Sequence, residues 1–320
     1  MTAGRWRVLV SAPYAMGVLD RYRRELEAAG CEMIVATVHE RLSEEELLPL
    51  VRDVDGIICG DDRLTERVLS ASPRLKVISK WGTGIDSIDR DAAARRGIVV
   101  RNTPDAFSDP VADTVMGYVL LFARQLHAMH QDIRAGRWVK PPLVALRETT
   151  LGVVGVGNCG KAVVRRAVAF GMRVVGTDPV AMPDAFVAGT GLRMLPLDEL
   201  LATADFVTLN PDLNPTSFHL MNDRAFARMK PSAYLINASR GPVVEEAALV
   251  RALERRLIAG AALDVFEQEP LPPASPLRRF DNCWLAPHNA NSSPAAAEAV
   301  HANTIRHLVE SLRLHSVKAG

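Results

Sequence analysis

Leu151–Asp178, LGVVGVGNCGKAVVRRAVAFGMRVVGTD, is the stretch that decides the fold. LGVV is short, apolar and rich in Val, which reads as a strand buried on both faces. Gly155-Val156-Gly157-Asn158-Cys159-Gly160 follows with G-x-G-x-x-G spacing, and then Ala162, Val163, Ala167 and Phe170 mark the inner side of a helix. RVVGTD is a second strand, and it ends in an acid, Asp178, about 20 residues after the glycines. A glycine string alone is weak, but strand before, helix after and acid at the next strand end give it meaning. The glycines permit a tight turn and a close backbone approach, and the helix N-terminus offers N–H groups and partial positive charge to a pyrophosphate. Asp178 suits a ribose 2′-hydroxyl and repels a 2′-phosphate, and Pro179 and Val180 bring no Arg to reverse that. The cofactor expected is NAD rather than NADP.

Further apolar runs extend the pattern on both sides. Downstream come DFVTLN, AYLINA, IAGAAL and NCWLAP; upstream, Arg7–Ser11, Met33–Val38, Gly56–Cys59 and Leu75–Ser79 alternate with helix-like segments. This is the signature of parallel sheets covered on both faces. The fold class expected is therefore α/β, with two tandem Rossmann-like, doubly wound units. Val111, Val115, Tyr118, Phe122, Leu126, Met129 and Ile133 keep a spacing of three or four, which predicts one long amphipathic helix over 108–135 joining the two units. Pro294–Leu314 reads as a helix beyond the last strand, returning to the first unit.

Composition narrows the function classes. The 320 residues hold 38 Lys and Arg against 37 Asp and Glu, a formal charge of +1. With no basic face, a nucleic-acid partner is not expected. Cys31, Cys59, Cys159 and Cys283 share no C-x-x-C spacing, which points to reduced thiols and no zinc site. His127 and His130 lie one turn apart but have no third ligand in the sequence nearby, so no metal is expected. The longest apolar run, Val115–Ala123, is about half a membrane span, and the N-terminus meets charge and proline before any signal-like core. A cytoplasmic protein without a membrane partner is expected.

Three later segments carry groups suited to hydride-transfer chemistry: INASRGPVVEEAAL around Arg240, AALDVFEQEP with Asp264 and Glu269, and APHNANSS around His288. Together with the glycine loop, KWGTGIDSID, RNTPDAFSDPVAD and HLMNDRAFARMKPSAYLINASRG, the chain from about Leu75 to Ser293 resembles the D-isomer-specific 2-hydroxyacid dehydrogenases, the group that includes phosphoglycerate dehydrogenase. The resemblance implies a cofactor domain over 104–288 inserted into a flavodoxin-like substrate domain made of 1–103 and 289–320. It implies catalysis by Arg240, Glu269 and His288. Gly155, Gly157, Asn158, Cys159, Gly160, Asp178, Asn210, Ala238 and Asp264 would line the cofactor, and Lys80, Trp81, Gly82 and Thr83 would join Arg240 on the substrate. For Asp264, which the resemblance sets against the nicotinamide carboxamide, the alternative is a cap on its own strand end.

The chemistry agrees with the resemblance. Oxidising a 2-hydroxy acid needs a base for the hydroxyl proton and a cation for the carboxylate and keto oxygens. An imidazole titrates near neutral pH, and a carboxylate at its other nitrogen fixes its tautomer. A guanidinium fork suits a carboxylate and keeps its charge throughout.

The substrate is less defined. Lys80 stands where phosphoglycerate dehydrogenases have a basic residue, but Gly60-Asp61-Asp62 places two acids nearby, and one of them can neutralise it. Asn210, Asn289 and Asn291 add polar groups where relatives have others, which favours a polar substrate, hydroxylated or phosphonate-bearing. Two other readings are a dehydrogenase-like NAD sensor or corepressor and an oxidoreductase acting on phosphite; a Glu rather than Gln beside the His argues against formate. A homodimer through the 108–145 region is expected from the apolar helix and Trp138.

Overall fold

The computed structural model describes residues 6–318. The chain forms two compact units, one within Met1–Ala106 and Ser293–Gly320, the other Phe107–Ser292.

In the first unit, β1 (Trp6–Val10), β2 (Cys31–Val35), β3 (Gly56–Cys59), β4 (Val77–Lys80) and β5 (Val99–Arg101) form a parallel sheet in the order β2-β1-β3-β4-β5. β3 and β4 are buried along their whole length, as continuous apolar runs inside a covered sheet should be. Leu9, Ile57 and Ile78 pack with Leu47, Val68 and Ala92 on one face. The helix Pro294–Lys318 packs against β3 and β4 and against the helix Leu19–Ala28. This helix lies in the first unit.

In the second unit, β6 (Thr150–Val154), β7 (Arg173–Thr177), β8 (Arg193–Met194), β9 (Phe206–Leu209), β10 (Tyr234–Asn237), β11 (Gly260–Leu263) and β12 (Cys283–Leu285) are also all parallel. Their order is β12-β11-β10-β9-β6-β7-β8. The chain runs outward from β6 to β8, then crosses back to β9. Such a reversal opens a crevice at the carboxyl ends of the two strands beside it, here β6 and β9.

The single long helix expected over 108–135 is corrected to two, Ser108–Arg124 and Leu126–Arg134. Gln125 separates them in a left-handed conformation at φ 46° and ψ 33°. The first buries Ala112, Val115, Met116 and Val119 in one core with Ala162, Val163 and Ala167 of the helix Asn158–Ala169. The second buries none of its side chains. Apolar spacing continues through Gln125, but the covering helix does not, so periodicity alone could not locate the break.

Burial pushes the thiol of Cys31 up to about 11 and that of Cys283 up to about 12. Both are inert at neutral pH. Among the described residues no helix is long and apolar enough to cross a membrane.

Candidate active site

Because every strand of the second sheet runs the same way, each residue that follows a strand emerges at one edge. Gly155 follows β6, Asp178 follows β7, Asn210 follows β9, Ala238 and Arg240 follow β10, Asp264 and Glu269 follow β11, and His288 follows β12. Sequence separations of more than 100 residues collapse onto that edge.

The three glycines have three different reasons to be there. Gly155 has φ +82°, and a Cβ there would lie 2.6 Å from Pro211 N. A Cβ on Gly160 would lie 2.1 Å from the Gly155 oxygen, so helix and turn touch backbone to backbone. Around Gly157 a Cβ would meet nothing within 4 Å. Gly157 is the N-cap of the helix Asn158–Ala169, so the space a side chain would fill lies in front of a helix N-terminus. Asp178 accepts the Val156 N–H at 2.7 Å and the Val180 N–H at 2.8 Å. This ties it to the glycine turn while leaving lone pairs for a diol. Asn210 accepts the Cys159 S–H at 3.7 Å across the mouth of the turn. An open glycine at a helix N-terminus, with an acid bonded beside it, fits a dinucleotide's pyrophosphate and ribose.

On the other half of the edge, His288 Nδ1 lies 2.9 Å from Glu269 Oε2. Glu269 Oε1 accepts the Phe266 N–H at 2.8 Å, so the carboxylate is fixed at both oxygens. With Nδ1–H donated to Glu269, Nε2 is the nitrogen that can exchange a proton. His288 has φ +48°, a left-handed conformation uncommon outside glycine. Asp264 anchors that turn. It is 2 % exposed, its carboxylate accepts the N–H groups of Asn289 at 2.9 Å and Ala290 at 2.8 Å, and its carbonyl accepts the His288 N–H at 2.7 Å. These bonds close the end of β11 onto the His288 turn.

Arg240 emerges after β10, half-buried, with Nη1 donating to the Ser239 carbonyl at 3.0 Å. A Cβ on neighbouring Gly241 would lie 1.9 Å from the Phe266 carbonyl carbon, so the Arg240 loop and the Glu269 loop meet backbone to backbone. Sequence reasoning missed what lines this seam. His219 Nε2 lies 2.8 Å from Glu267 Oε1, and the Glu267 N–H donates to Glu246 Oε1 at 2.7 Å. Burial pushes the Glu246 carboxyl up, and the charges of Glu267 and Glu269 add to this. The acids of VVEEAAL and FEQEP were the available signal.

In the first unit, Lys80 and Trp81 are inside rather than on the surface. Lys80 is 4 % exposed, with Nζ 3.1 Å from Asp61 Oδ1 and donating to the Trp81 carbonyl at 3.0 Å. Its charge is neutralised within the unit. Asp62 is buried and accepts the Ser11 hydroxyl at 2.6 Å and the Leu42 N–H at 2.7 Å. Gly82 has φ +121°, and the Thr83 hydroxyl donates to the Thr103 carbonyl at 2.9 Å.

The crevice, glycine turn and acid define the class: an NAD-linked oxidoreductase of the Rossmann type. A family model described as "D-isomer specific 2-hydroxyacid dehydrogenase, NAD binding domain" matches residues 116–290. A glyoxylate reductase of Thermofilum pendens is 40% identical over 278 residues, covering 85% of this chain and 82% of the relative. A D-3-phosphoglycerate dehydrogenase of Methanocaldococcus jannaschii is 38% identical over 278 residues, but the match covers 86% of this chain and only 52% of the relative. Among solved structures, a D-lactate dehydrogenase of Aquifex aeolicus complexed with NAD and lactic acid superposes with a TM-score of 0.87 at 27% identity, covering 98% of this chain and 96% of that one. The chain belongs to the D-isomer-specific 2-hydroxyacid dehydrogenase family, and its cofactor is NAD.

Proposed function

We propose that this dehydrogenase interconverts a small 2-keto acid and its 2-hydroxy acid, with His288 as the acid–base group, and that the substrate carries no second anionic group. The observation that carries this reading is the 2.9 Å contact between His288 and Glu269 at the sheet edge that also holds the glycine turn. Bound NADH supplies the hydride. His288 gives a proton from Nε2 to the keto oxygen in reduction and takes it back in oxidation. Glu269 holds the ring through Nδ1 in both directions. Arg240 holds the substrate carboxylate and polarises the carbonyl, with a charge that no step removes.

The limit on the distal group follows from Lys80. A cation already paired with Asp61 has little left for a phosphate, and Asp62 adds a further carboxyl nearby. A glyoxylate reductase among the relatives supports the same size class. NADH oxidation with glyoxylate, hydroxypyruvate, 2-ketoglutarate, 3-phosphohydroxypyruvate and phosphonate-bearing keto acids tests this. We expect kcat/KM for glyoxylate or hydroxypyruvate to exceed that for the phosphorylated acid by about tenfold or more. Preference for the phosphorylated acid overturns the substrate class, and no turnover of any keto acid overturns the function.

The same protein acts as a homodimer through the 126–144 segment. What supports this is one stretch of chain with several exposed apolar side chains, Leu126, Ile133, Val139 and Val144, and with a Trp138 that is 80 % exposed, the kind of side chain that interfaces bury. Sedimentation should give a dimer that Trp138→Glu shifts to monomer; a monomeric wild type defeats it.

A further inference from the structure

The first sheet also reverses its strand order, between β1 and β3, and the loops at the carboxyl ends there are where a ligand meets such a unit. Lys80–Gly84 leaves β4 next to that point. Its far side is held by the first unit itself: the Thr103 N–H donates to the Gly82 carbonyl at 2.9 Å, and Asn102 Nδ2 donates to the Thr83 carbonyl at 2.5 Å. Its near side is held by Trp81. The Trp81 N–H donates to the Cys59 carbonyl at 2.8 Å, and the indole stacks on Tyr14 with ring centroids 5.0 Å apart. The indole Nε1–H donates to His301 Nδ1 at 3.0 Å.

That last bond needs a neutral imidazole. His301 is on the helix Pro294–Lys318 and is 8 % exposed. A proton on Nδ1 would set two donors against each other, and the bond would be lost. Burial holds the imidazole below its ordinary range; the charge of Glu298 opposes this and that of Arg21 adds to it. The charged and titratable groups around it are Glu298 on its own helix and Arg21 and Tyr22 on the helix Leu19–Ala28. Arg21 Nη2 and the Tyr22 hydroxyl both bond Glu298 Oε1, at 2.6 and 3.3 Å. On the loop side stands Lys80, already paired with Asp61. A small cavity lined by Val18, Tyr22, Trp81, His301 and Thr304 borders the ring.

We infer that His301 is a positioning residue for the Lys80–Gly84 loop, which it holds through Trp81 while neutral and releases when protonated. This rests on the reading by likeness that Lys80, Trp81, Gly82 and Thr83 join Arg240 on the substrate, whose carboxylate Arg240 holds. The backbone N–H groups beyond Trp81 would meet that carboxylate, so loss of the bond raises KM and leaves proton and hydride transfer alone.

The test uses three full-length variants. His301→Asn keeps an acceptor close to the Nδ1 position and does not titrate, His301→Leu removes the acceptor, and Trp81→Phe isolates the Trp81 emission by difference. In the wild type, lowering the pH from about 7.5 to about 4.5 passes through and below the ordinary histidine range, where the buried imidazole takes its proton, and should change Trp81 fluorescence as KM for the keto acid rises; His301→Asn should flatten both. His301→Leu should hold KM at every pH about fivefold above the wild-type value at about pH 7.5, the scale of one lost hydrogen bond, with kcat within about twofold and NADH affinity unchanged. A Trp81 signal that does not titrate, or a His301→Leu enzyme with wild-type KM, overturns the inference. If the wild type turns over no keto acid, the functional reading fails by itself, and the fluorescence titration still decides whether His301 holds Trp81.

Discussion

Replacing His288 by Ala should lower kcat for keto-acid reduction by roughly a thousandfold to ten-thousandfold, the upper part of the range for general acid–base groups, with NADH affinity within about twofold. The size follows from the geometry. Glu269 spends one oxygen on the Phe266 N–H and the other on His288, so it holds the imidazole and leaves proton delivery to His288. NADH affinity should hold because the glycine turn and Asp178 follow β6 and β7, while His288 follows β12 at the far end of the sheet. Steady-state kinetics with a fluorescence titration of NADH separate the two effects. Near-normal turnover removes His288 from the reaction, and weakened NADH binding with intact kcat makes it a cofactor contact instead.

The second large effect is on folding. Gly160→Ala sets a methyl 2.1 Å from the Gly155 oxygen, and Gly155 cannot retreat because its own Cα faces the Asn210–Pro211 backbone. We expect a loss of about 3 kcal/mol or more. In calorimetry that appears as a melting temperature lower by roughly 10 °C. Gly157→Ala is the contrast, because its methyl enters open space. That variant should melt within about 2 °C of the wild type and bind NADH at least about tenfold more weakly, since the methyl occupies ground a pyrophosphate needs. If both variants melt alike, the division of labour between the glycines is wrong.

Much of this was legible in sequence because it depends on local spacing. The strands of the second unit, its glycine turn and the acid after it are written within a few residues of one another. The C-terminal helix was legible too, from its place beyond the last strand. What was not legible depends on who covers whom. Gln125 breaks a helix whose apolar period runs on without interruption, because the covering helix Asn158–Ala169 serves only its first half. That an acid of Gly60-Asp61-Asp62 could neutralise Lys80 was legible, but only the fold shows that the acid is Asp61, at 3.1 Å. Asp264 is assigned to a cofactor by likeness, and only the fold shows that its oxygens meet the N–H groups of Asn289 and Ala290, 25 and 26 residues away in sequence. His301 gave no signal at all, since its partner Trp81 lies 220 positions earlier.

The chain order of the first unit has a consequence for how the protein is made. Its sheet is complete once Arg101 has been synthesised, but the helix that covers β3 and β4 begins at Pro294. During translation, which proceeds at about 5–20 residues per second, the carboxyl-terminal cover arrives after the whole second unit has emerged. For roughly ten seconds or more the nascent chain therefore exposes one apolar face of a finished sheet, including Val77 and Ile58, while the nucleotide-binding sheet assembles behind it. The unit synthesised first is the one finished last.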